Sequence, residues 1–298
     1  MSATWTNIAR KDIENAMRSK VLGGLTATFV TFLVITMVSA EHLIEGVETV
    51  TANIALAGVA TLAQLFIPGL AIVAGYLAIS GERESGSLKL LLTHPFTRAD
   101  ILAGKLVGRL VVTLVALLVG FGVASVLVAV LYGTPSIVSF GGFVGTGVLL
   151  GTIFVGMAVG NSALASSRGR AMAITIGPYV AMVFFWKPIS VGAYYLATGA
   201  RPTIEVEAWY LLLLRLNPLE AYRVVTGAVL EEPVQAVPYL PLEDLPAGTM
   251  AADMDTATRL TGEMPFYLQE WFAVVILLAW GIVPLVIGYR QFADGDVY

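Results

Sequence analysis

The 298-residue chain contains no cysteine, so neither a disulfide framework nor a thiolate metal site can form. Histidine is almost as scarce. His42 and His94 are the two present, and two ligands make no metal site. Charge is the third shortage: 13% of residues are Asp, Glu, Lys or Arg, where a soluble domain carries about 25%. The centres of the long apolar stretches hold none of these groups, which disfavours an ion-coupled carrier, because such carriers place ionisable groups at mid-membrane. A phosphate-binding loop is missing as well. Gly104-Lys105 lacks both the upstream glycine and the following Ser/Thr that the motif needs. No nucleophile–base pair is visible, so the chain is expected to catalyse nothing and to bind no cofactor.

What is abundant is apolar. Hydrophobic residues make up 57% of the chain, with a mean hydropathy of +0.82. The expected fold is an all-α integral membrane protein. Six spans are expected at 21–40, 52–80, 110–132, 140–165, 171–187 and 270–289, each about the length that crosses a bilayer or longer. Val38-Ser39-Ala40 resembles a peptidase site, but the apolar run before it is too long for a signal peptide, so it is read as a retained span. The 52–80 stretch exceeds one crossing and holds Pro68-Gly69, which predicts a kink or a tilted start. Gly177-Pro178 predicts another kink, and Lys187-Pro188 an end to the fifth apolar core. Residues 3–20 place Trp5, Ile8, Ala9, Ile13, Ala16 and Met17 on one helical face, with Arg10, Lys11, Glu14 and Arg18 opposite. That is an interfacial amphipathic helix. Residues 189–266 form a partly helical segment before the last span, with short helices at 189–199 and 208–230.

Two patterns carry more than hydropathy. The 140–165 span is crowded with glycine. Gly147-x-x-x-Gly151 and Gly156-x-x-x-Gly160 let another helix approach closely. Asn53, Gln64 and Asn161 are the polar residues inside the spans, and they are read as interhelical hydrogen-bond donors. Met250, Met254 and Met264 suit gap filling better than binding of a soft metal.

The densest charge lies between spans two and three, over 82–98. There a serine cap (Ser85 or Ser87), the run Leu88 to Leu92, the stop at Pro95, and Thr97-x-x-Asp100 follow one another. The order predicts a short surface helix and then a capping box that opens the next span. Glu82, Glu84, Gly86-Ser87-Leu88, the leucines through Leu91 and Leu92, Pro95, Arg98 and Leu102-Ala103-Gly104-Lys105 resemble the corresponding loop of ABC type-2 transporter permeases. Ser87 stands where threonine is usual, and His94 where an aromatic is frequent. Within that family, Trp5, the loop and the chain length narrow the likeness to the branch serving copper-site maturation of nitrous-oxide reductase.

The resemblance implies that 82–98 is a coupling helix region seated in a cleft of a separate cytoplasmic ATPase. It also implies that a second permease copy or paralogue completes the pathway. Membrane lipid is the remaining expected partner, and no nucleic acid is expected. Most Lys and Arg fall on one side of a six-span layout, around residues 1–20, 81–109, 166–170 and 290, while Arg201, Arg215, Arg223 and Arg259 lie in 189–266, where acids outnumber them. The loops at 41–50 and 132–139 carry none. Both termini and the coupling region are therefore expected in the cytoplasm, and the acid-rich 189–266 outside. A membrane scaffold that docks a soluble partner on the same loop, without transport, is the alternative.

Overall fold

A computed structural model describes residues 5–18, 20–43, 50–88, 96–237, 240–249 and 254–294. The described residues are helical apart from turns, loops and one isolated parallel bridge, Val206 to Leu260. In chain order the helices are α1 (Trp5–Met17), α2 (Lys20–Leu43), α3 (Ala52–Gly75), α4 (Ser80–Glu84), α5 (Arg98–Leu131), α6 (Ile137–Leu164) and α7 (Arg168–Val180). They continue with α8 (Trp186–Thr198), α9 (Ala208–Arg215), α10 (Pro218–Leu230), α11 (Thr256–Arg259) and α12 (Glu270–Asp294). Side-chain caps start most of the long ones. Thr51, Ser136 and Ser167 accept from the N–H groups of Ile54, Ser139 and Arg170. The Thr97–Asp100 capping box that the sequence predicts opens α5 in both directions.

Among the described residues, five stretches are long and apolar enough to cross a membrane: Ala52–Glu84, Arg98–Leu131, Ile137–Leu164, Arg168–Thr198 and Glu270–Asp294. Within α2 the apolar stretch Gly23–Ile35 is shorter. Two boundaries differ from the expected ones. α3 continues as helix through Pro68 to Gly75, and the helix is interrupted only at the turn from Tyr76 to Ile79 before α4. The fifth stretch does not end at Lys187-Pro188. A π-helical turn at Ala181–Phe185 joins α7 to α8, and the helix continues to Thr198, where Gly199 at φ 77° closes it. The reason is local. Pro188 cannot donate and would clash with the carbonyl four residues back, that of Phe184. Phe184 lies inside the widened turn, where the regular ladder is already interrupted.

The largest difference concerns 189–266, read from sequence as an external segment. Part of it does not lie apart from the bundle. α9 and α10 form a helical hairpin, and its tip is bonded to the middles of neighbouring helices. Asn217 Nδ2 donates to the Met182 carbonyl at 2.8 Å, and Trp280 Nε1 donates to the Leu216 carbonyl at 2.9 Å. Tyr222, Ala221, Thr226 and Leu230 of α10 are fully buried, among α3, α6 and α12. Asn217 caps α10, with Pro218 at its first position. The polar groups that the sequence singled out in the spans serve as interhelical and tertiary glue. Asn53 donates to Leu230 O, Gln64 to Gln235 O, and Asn161 to Ile174 O at 3.0 Å.

The rest of the segment meets α8 and α9 in a second small core of Tyr194, Val206, Tyr210, Leu211, Leu214, Leu260 and Leu268. The buried Glu243 carboxylate organises it. It accepts from Tyr210 Oη at 2.7 Å and from Arg259 Nη2 at 3.2 Å, and Lys187 Nζ stands 3.7 Å away. Burial and the adjacent carboxylate push the Tyr210 hydroxyl pKa well up, so it stays a donor.

Candidate functional site

The 82–98 region joins α4 to α5. Residues 89–95, which include Leu91, Leu92, His94 and Pro95, fall outside the described residues. The two flanks are described, and they show how the loop is held. Leu88, the first residue of the run, is fully buried. Gly86 has φ 76°, a left-handed turn that a side chain would strain, directly after α4.

The entry flank is fastened to α6 and α7. The backbone N–H groups of Ile79 and Ser80, at the start of α4, both donate to the buried Ser162 Oγ of α6, at 3.0 and 3.1 Å. Two groups that a helix start leaves without partners are thereby satisfied across the bundle. Glu84 Oε2 accepts from the Arg168 backbone N–H at 2.8 Å, at the first residue of α7. That position suits a carboxylate, because the positive end of the helix dipole points there.

The exit flank is fastened to α1 by buried charge. Gly104 and Gly108 open a groove on α5 in which α1 lies. A methyl placed on Gly104 would sit 2.7 Å from Ile8 Cβ, and one on Gly108 2.8 Å from Asp12 Oδ2. In this groove Lys105 Nζ donates to Asp12 Oδ1 at 2.9 Å and to Glu82 Oε1. Arg109 completes the group, with Nε 2.7 Å from Asp12 Oδ2. The side chains of Asp12 and Lys105 are 2% and 7% exposed. One ammonium therefore joins three helices: α1 through Asp12, α4 through Glu82, and α5 itself.

Three residues that the resemblance assigned to partner contact have neighbours within the chain. Gly104 and Lys105 face α1, and Glu82 pairs with Lys105 while keeping 27% of its side chain exposed. Glu84 remains about half exposed, and Arg98 turns toward the end of α12. The amphipathic pattern of 3–20 had passed over Asp12. On that wheel it falls within the apolar face, four residues from Ile8 and seven from Trp5, and the cations on α5 are what allow a carboxylate to be buried there. Ile8 and Ala9 are buried against α5 and Trp5 stays largely exposed, so α1 is at once amphipathic and packed.

The four glycines of the two motifs each meet a neighbour. Gly147 faces the Phe121 ring. A methyl on Gly151 would lie 2.9 Å from Leu117 Cδ1, and one on Gly156 3.1 Å from the Gly281 carbonyl. At Gly160 a methyl would meet the Pro284 backbone at 2.5 Å. Gly281 and Gly288 supply the matching hollows on α12, two residues that spacing within one span could not single out.

A family model described as ABC-2 family transporter protein matches residues 6–297, and the chain belongs to that family. Two relatives carry the description "Probable ABC transporter permease protein NosY". The one from Stutzerimonas stutzeri is 30% identical over 288 residues, covering 95% of this chain and 98% of the relative. The one from Pseudomonas aeruginosa is 30% identical over 233 residues, covering 76% of this chain and 82% of the relative. The chain is thus a membrane-embedded ABC transporter permease of helical architecture.

Proposed function

We propose that this chain is the membrane-spanning subunit of an ATP-driven exporter, coupled through residues 82–98 to a separate cytoplasmic ATPase and paired with a second permease copy or paralogue. The observation that carries the reading is the anchoring of the loop. Its entry is bonded to α6 and α7, and its exit is ion-paired to α1, so a push on the leucine run reaches four helices. A solvated loop gains nothing from buried anchors of this kind, and a coupling element needs them. The basic residues around it support a cytoplasmic position for the loop and for both termini. Six spans follow if α2 crosses in full.

The second copy is supported by α7–α8. Only 11% of the most apolar window of Arg168–Thr198 is buried within the chain, against 67% for α6. Phe184, Phe185, Ile189 and Leu196 project from it. Lipid can cover such a face, and so can a second permease across the pathway.

The test is pull-down of the ATPase from solubilised native membranes. Leu91→Asp should abolish capture while leaving insertion unchanged, because buried apolar anchors dominate interfaces of this type. Glu84→Ala and Arg98→Ala should weaken it less, Arg98→Ala by about 1 kcal/mol. Full capture by the Leu91→Asp chain would sink the coupling assignment, and capture without ATP-driven transport would favour a scaffold.

A further inference from the structure

The cytoplasmic end of α12 takes no part in the ion network, yet it meets both flanks of the loop. Phe292 is fully buried there. The guanidinium carbons of Arg83 and Arg98 lie over its ring, 5.8 and 5.7 Å from the centroid. Arg83 precedes the leucine run and Arg98 follows it. Each arginine also closes a helix end. Arg98 donates to the carbonyls of Phe292 and Ala293, the latter at 3.1 Å. Arg83 donates to the Ala165 carbonyl at 2.7 Å and the Ala163 carbonyl at 3.5 Å, at the end of α6. Terminal carbonyls have no partner within their own helix and carry its partial negative charge. With a π-face between them, they allow two like charges to share one site.

We propose that Phe292 is a positioning residue that clamps both flanks of the coupling loop onto the α6–α12 pair. Loop displacement is then passed to those two helices as one body. The proposal rests on the transport reading above. α6 and α12 are suited to the part because Gly156, Gly160, Gly281 and Gly288 close them backbone on backbone. Without the ring, the two guanidinium groups repel across the gap, and the loop can move while the helices stay.

The absence of cysteine allows spin labels at two chosen positions, Ser85→Cys at the loop and Ile137→Cys at the far end of α6, both exposed. In the full permease the native chain should give a narrow label–label distance distribution. Phe292→Leu, which keeps apolar volume and loses the ring face, should broaden it, and Phe292→Tyr should restore it. Arg98→Lys, which keeps the charge and loses the planar group, should broaden it as well and covers the case in which Phe292→Leu fails to fold. In the complex, Phe292→Leu should retain the ATPase in pull-down while the permease's stimulation of ATP hydrolysis falls about fivefold. A distribution as narrow as the native one in Phe292→Leu, with the ATPase still bound, overturns the clamp and leaves the transport reading standing. Failure of the native chain to retain the ATPase overturns the transport reading, and the clamp's role in coupling with it.

Discussion

Two helix pairs in this protein use the same device and differ in what they add to it. In α6–α12 and in α1–α5, glycines remove the side chains that would keep two backbones apart. The first pair adds nothing polar. Gly160 lies against the Pro284 backbone and Gly281 against Ile153, and the seam closes by shape alone. The second pair sets Asp12, Lys105 and Arg109 into the groove, and reaches Glu82 at the edge of the coupling loop. Shape fixes distance but tolerates sliding, whereas an ion cluster specifies one register. The seam is built to stay shut, and the α1–α5 joint to hold a loop at a defined place. α7–α8, with neither glycine contacts nor buried charge, stays at the periphery.

Breaking the apolar seam should have the largest effect. Gly160→Leu drives a side chain into backbone on α12, which cannot rotate aside, and should cost more than about 3 kcal/mol. The expected result is loss of the folded, monodisperse permease in detergent. Wild-type thermal stability in Gly160→Leu and Gly156→Leu would show that the seam is looser than drawn. Asp12→Ala comes next. It strands Lys105 and Arg109 in the groove, at a cost of about 3 kcal/mol. Thermal unfolding should also show that adding Lys105→Met recovers part of that loss, because the buried ammonium is then gone. No recovery in the double variant would mean that packing of α1, rather than charge, holds the joint.

Two smaller effects sharpen the contrast. Tyr210→Phe removes a donor from the buried Glu243 and should lower stability by about 1 kcal/mol, read as a small shift in unfolding temperature. It tests whether the outer cap, like the α1–α5 joint, depends on its buried polar group. Phe184→Ala on α7–α8 should change the stability of the single chain by less than about 0.5 kcal/mol. Its effect belongs to the assembly: if this face meets a second permease, light scattering should show less dimer. A large loss of single-chain stability would contradict the exposure of that helix.

Much of this was legible in the residues. Runs without charge marked where long helices fall, since a bilayer leaves backbone groups no partner but each other. Thr97 and Asp100 announced the start of α5, because a capping box is written within four residues. Glycines at 147, 151, 156 and 160 announced close approach. Asn53, Gln64 and Asn161 announced hydrogen bonds, because an amide in an apolar segment must find a partner. These signals are local, and their chemistry is complete within one turn or one helix.

The tertiary structure alone decided the rest, because there the partner lies far along the chain. Nothing near Asp12 says that an ammonium 93 residues away will pair with it. The hairpin α9–α10 is too short and too charged to read as buried, and its position comes from packing of α10 among α3, α6 and α12 together with hydrogen bonds to Met182 and Trp280. Pro188 should end a helix, and does not, because the π-turn before it has already opened the ladder. Phe292 looks like one more aromatic near a chain end until two arginines, 194 and 209 residues upstream, converge on its ring. Local sequence determined which segments are helices and where they begin. Which faces of those helices meet was settled only by the one packing in which each buried charge and each bare carbonyl found its complement.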